Sequence, residues 1–110
     1  MTDWKEAYRE ELALAEQDRR AGKEGRARVR ARRAAGHIVG EYLRRRGLPD
    51  PGPNALDRLR FLQGMAGLPA EVYVLIAHLT MKVDVNYRLP DGVDLLADAQ
   101  RLAEVLLGEG

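Results

Sequence analysis

Cysteine is absent from the 110-residue chain, and histidine occurs only at His37 and His78. The first absence removes disulfides, thiolate metal sites and a cysteine nucleophile. With only two imidazoles left, the ligands do not fill a usual four-coordinate zinc shell. No metal and no cofactor is therefore expected. Aromatic side chains are scarce as well, one Trp, one Phe and four Tyr. That leaves little surface for stacking unpaired bases, and no aromatic set of the kind that reads RNA sequence. No apolar run approaches the roughly 20 residues that cross a bilayer, and Met1-Thr2-Asp3-Trp4-Lys5-Glu6 is neither a basic nor an apolar signal region. No membrane partner and a cytoplasmic location are expected. Eleven glycines and five prolines are too few for a collagenous or low-complexity chain.

What is present is a foldable mixture, 45% hydrophobic and 32% charged, in a length that suits one domain over residues 1–110. The net charge of +1 conceals segregation. Residues 1–18 hold two basic and six acidic side chains (net −4), residues 19–46 eleven and two (net +9), and the remainder five and nine (net −4). Fifteen of the eighteen basic residues are Arg, whose planar guanidinium forks onto phosphate or carboxylate. This composition suits anion recognition, and it equally suits ion-pair networks reaching the flanking acidic helices.

Apolar spacing predicts four or five helices and no strand, an all-α up-and-down bundle. Asp3 is positioned to cap a first helix over about 4–21, with Glu6 at capping-box spacing and Trp4, Tyr8, Leu12 and Ala15 as its buried stripe. Gly22-Lys23-Glu24-Gly25 predicts a tight connection and a helical hairpin. A second helix over about 25–46 turns Ala27, Ala31, Ala34, Ala35, Ile38, Val39 and Tyr42 inward and a ladder of Arg26, Arg30, Arg33, His37 and Arg44 outward. Between these sectors lie Val29, Gly36, Gly40 and Leu43. Each mid-helix Gly costs up to about 1 kcal/mol relative to Ala, so the Gly36/Gly40 pair calls for a compensating close contact, expected to be a homodimer seam. Three prolines within 49–53 end this helix. Asn54 is expected to cap a third helix over about 55–66. The three-and-four rhythm of Val72, Leu75, Ile76, Leu79, Val83 and Tyr87 predicts a single fourth helix over 71–87, against the strand preference of its β-branched residues. A last helix over about 93–107 stops at Gly108.

The run Ala27-Arg28-Val29-Arg30-Ala31-Arg32-Arg33-Ala34-Ala35-Gly36-His37-Ile38-Val39-Gly40-Glu41-Tyr42-Leu43 resembles the second helix of HEPN domains. A Trp-initiated acidic helix precedes it. A short helix, a longer helix, a Tyr87-Arg88-Leu89-Pro90 stretch like the family's Arg-Tyr-Pro element and a closing helix with Ala97-Asp98-Ala99 follow. The resemblance implies a small helical bundle, usually dimeric, that is either a ribonuclease or the non-catalytic partner of a nucleotidyltransferase. The nuclease branch carries Arg, four to six residues, then His, near the start of a late helix. Arg32 and His37 have that spacing but lie on the second helix, and no His follows Arg88.

Three functions follow. The first is a non-catalytic, dimeric interaction or accessory module, with a nucleotidyltransferase as a candidate partner. The second is phosphate, nucleotide or RNA binding through Arg26, Arg30, Arg33 and Arg44. The third is metal-independent RNA cleavage, with His37 as general acid or base and Arg32 stabilising the phosphorane.

Overall fold

A computed structural model describes residues 3–81 and 92–108 of the chain. Three of the described helices begin where a side chain satisfies a free amide of the first turn. The Asp3 carboxylate accepts from the Lys5 N–H at 2.9 Å and opens α1 (Trp4–Arg20). The Asn54 side chain accepts from the Asp57 N–H at 3.1 Å and opens α3 (Ala55–Gln63). Asp94 accepts from Leu96 and Ala97 and opens α5 (Leu95–Leu107). Between these lie α2 (Glu24–Arg45) and α4 (Ala70–Thr80). No strand occurs among the described residues, and the chain is a small all-α bundle.

Gly22, at φ +76°, reverses the chain between α1 and α2. The pairs then run in opposite directions along the two helices: Arg19 with Glu24 at the turn, Glu11 with Arg30 midway, Trp4 under Arg45 at the open end. The predicted hairpin is therefore antiparallel. Arg19 also reaches Asp94 at 3.1 Å, which ties the turn to the start of α5.

Helix α2 is central and touches each of the other four helices. Ala27, Ala31, Ala34 and Ala35 are fully buried, and their single methyls let neighbouring backbones approach. Ile38, Val39 and Leu43 continue the core with Leu59, Leu62, Ile76, Leu79 and Leu102, all without exposed surface.

Two expectations need correction. The third helix stops at Gln63 rather than Ala66. The fourth stops at Thr80, where Met81 is extended (φ −64°, ψ 134°), rather than running to Tyr87. The cause of the second is tertiary. Arg32 of α2 donates to the Leu79 carbonyl at 2.8 Å and to the Met81 carbonyl at 3.0 Å, and the Thr80 hydroxyl folds back on the Ile76 carbonyl at 2.8 Å. A cation thus caps the negative end of α4 from outside. Val83, Tyr87 and the Tyr87-Arg88-Leu89-Pro90 stretch lie outside the described residues.

Glu41 is the one buried charged side chain among the described residues, 6% exposed. Arg44 and Arg45 clasp its carboxylate at 2.7 and 2.8 Å. The Arg44 hydrogen bond, helped by Arg45 and opposed by burial, holds its pKa down at about 2 from an ordinary 4.5. A depressed carboxylate stabilises the fold above its unfolded pKa and loses that contribution as pH falls towards the folded value. Because both arginines face water, solvent screening reduces that contribution. Urea midpoints should therefore fall more steeply between pH 4.5 and about 2 for the native chain than for Glu41→Gln. Equal slopes would disprove the clasp.

Candidate interaction groove

Helix α1 covers one flank of α2 and α3 the other, leaving the outward edge of α2 as the floor of a groove. Its largest stretch, about 580 Å³, lies between Glu11 of α1, His37 of α2 and the Asn54–Leu56 start of α3. It shares His37 and Arg58 with a stretch of about 430 Å³ that extends to Trp4 and Arg44. It shares Val29 and Arg33 with one of about 350 Å³ that reaches Arg26. From Arg26 to Arg44 the floor runs about 27 Å, at 1.5 Å per residue.

The predicted ladder lines this groove but divides into different roles. Arg26 and Arg33 are exposed and make no ion pair within the described residues. Arg30 is half-buried and lies 3.4 Å from Glu11. Arg44 is held by Glu41. Val29 stands between the two free arginines and is 44% exposed, one of two large apolar side chains left in water among the described residues.

His37 is half-buried at mid-groove. Burial lowers its pKa, Glu11 pulls it back up and Arg58 pushes it further down, so the ring is neutral at pH 7. Arg32 borders the same depression, yet its guanidinium is engaged with the end of α4, and five residues set the two side chains roughly 140° apart around the helix. Arg32 and His37, the pair of the catalytic expectation, thus border one depression, with the Arg32 guanidinium donating to the Leu79 and Met81 carbonyls. Burial also lowers the Arg32 pKa, with Arg28 adding to it, while leaving the group charged.

The glycine pair requires a close neighbour, as predicted, but that neighbour belongs to the same chain. A Cβ at Gly36 would stand 2.8 Å from the Ala55 Cβ, and one at Gly40 would stand 2.7 Å from the Arg58 guanidinium. Arg58 crosses Gly40 to donate to the Gly36 carbonyl at 3.2 Å and clasps Asp50 at 2.7 and 3.0 Å. Arg58 in turn holds the Asp50 pKa below the ordinary carboxylate value. Leu43 is fully buried in the core. Of the expected seam, Gly36, Gly40 and Leu43 serve internal packing, and only Val29 faces outward. Sequence reading missed Glu11, Ala55 and Arg58 as groove residues. The available signal was the Ala55/Arg58 spacing of three, which matches the glycine spacing of four on a crossing helix.

His78 lies away from the groove, with Nδ1 3.0 Å from Asp98 of α5. Burial raises the Asp98 pKa while His78 draws it back. The chain contains no serine, and the Thr80 hydroxyl is committed to Ile76. This His–Asp pair accordingly fastens α4 to α5. Among the described residues no group of three or more His, Asp or Glu is placed to hold a metal, and no helix is long and apolar enough to cross a membrane.

In comparisons with known proteins, no family model, curated protein or solved structure matches the chain.

Proposed function

We propose that this chain is a non-catalytic helical interaction module, resembling the accessory branch of HEPN domains, that works as a dimer or beside a nucleotidyltransferase through the groove along α2. One observation carries this reading. Val29 lies exposed between Arg26 and Arg33, two cations without a counter-ion among the described residues, at the edge of a cleft. Exposed apolar surface flanked by unpaired charge suits a macromolecular contact. The engagement of the Arg32 guanidinium with the end of α4 supports a binding role over a catalytic one.

The test is incubation of labelled RNA with the native chain and with His37→Ala. Neither is expected to cleave. Cleavage by the native chain that disappears in His37→Ala would overturn the non-catalytic reading. A second reading, phosphate or RNA binding, is favoured by the two free arginines. It predicts anisotropy changes with labelled RNA that collapse as salt rises. Against it stand Glu11 and Asp50, carboxylates that share the groove with Arg30 and Arg58.

A further inference from the structure

The groove and the outward side of α1 carry opposite charges. Arg26 and Arg33 are seven residues apart on α2, about 10.5 Å along its axis. On α1, Asp3, Glu6 and Glu10 are exposed and border one shallow depression together with Arg9, and Glu6 and Glu10 lie four residues, about 6 Å, apart along the axis. Asp3 spends one oxygen on the Lys5 N–H, whereas Glu6 and Glu10 make no ion pair within the described residues. Because α1 and α2 are antiparallel, a two-fold axis perpendicular to the hairpin lays α1 of one copy along α2 of the other in the same chain direction. That arrangement brings the acidic first turns over the basic half of the groove and repeats the contact by symmetry.

We propose that the groove is occupied by α1 of a second copy of this chain, with Glu6 and Glu10 of each copy facing Arg26 and Arg33 of the other and Val29 covered between them. This rests on the interaction-module reading and names its partner and its faces. The counter-charge a partner must bring is present on the molecule's own surface. RNA is disfavoured by the Glu11 and Asp50 carboxylates within the groove. Exposed ion pairs are individually weak and screened, so the dimer loosens with salt.

Sedimentation velocity on the full chain from about 10 to 500 µM, in about 50 and 500 mM NaCl, tests it. The native chain is expected to dimerise with an affinity at least about tenfold weaker at high salt. Two charge-reversed chains, Arg26→Glu/Arg33→Glu and Glu6→Arg/Glu10→Arg, are each expected to be monomeric, with folding verified by circular dichroism. An equimolar mixture of the two regains the dimer, because one reciprocal contact keeps its native signs and the other is restored with signs exchanged. A mixture that stays monomeric, or a native chain that is monomeric throughout, overturns the proposal. A native dimer indifferent to both variants also overturns it and leaves the interaction-module reading standing. Low-salt binding of a labelled RNA that Arg26→Glu/Arg33→Glu abolishes would assign the groove to nucleic acid and overturn it too.

Discussion

Gly36→Leu is expected to lower stability by about 3 kcal/mol, the upper part of the usual overpacking range, and the melting temperature by roughly 12 °C at this chain length. The cause is local. Any Cβ at this position meets Ala55 at 2.8 Å and the Ala55 Cα at 3.0 Å, so α3 must move off the helix it rests on. Even Gly36→Ala should be a net loss of about 1 kcal/mol, although Ala favours helix over Gly by a similar amount. Adding Ala55→Gly to Gly36→Ala removes the clashing methyl and should recover about 1 kcal/mol in a double-mutant cycle. Thermal and urea unfolding of the four chains measure this. An unchanged midpoint for Gly36→Leu, accompanied by loss of self-association, would return the glycines to an intermolecular role.

Arg32→Ala is expected to cost about 2 kcal/mol, because two charge-assisted hydrogen bonds to the end of α4 and the packing of a half-buried stem are lost together. Hydrogen exchange should accelerate most at the C-terminal turn of α4, where Arg32 holds the Leu79 and Met81 carbonyls. Arg32→Met keeps the stem and should restore a minor part of the loss. Arg32→Lys should restore less than half, since an ammonium cannot fork across two acceptors. If all three variants unfold like the native chain, Arg32 has no capping role and its guanidinium is available to the groove.

Residues whose fate depends on their own helix were legible in the sequence. The inward alkyl sector of α2, the caps at Asp3 and Asn54 and the turn at Gly22 follow from periodicity and local hydrogen bonding, and the helical hairpin follows from them. Residues whose fate depends on another helix were not legible. Gly36 and Gly40 announce a close neighbour but cannot say that it is α3. Arg26, Arg30, Arg33, His37 and Arg44 read as one ladder, yet Glu11 and Glu41 take two of its arginines, and the end of α4 takes Arg32, the catalytic candidate. The end of α4 was illegible for the same reason, since its terminating donor sits 47 residues earlier in the chain.

Because α2 contacts all four other helices, no part of the bundle can detach without exposing some of its alanine side. Unfolding should accordingly be all-or-none for a domain of this size, with the amides of residues 31–39 exchanging only through global opening. A molecule seated along the free edge of α2 would then report itself far from its own footprint. It would slow exchange in α4 and α5 by the same factor as in α2, through mass action on one shared equilibrium.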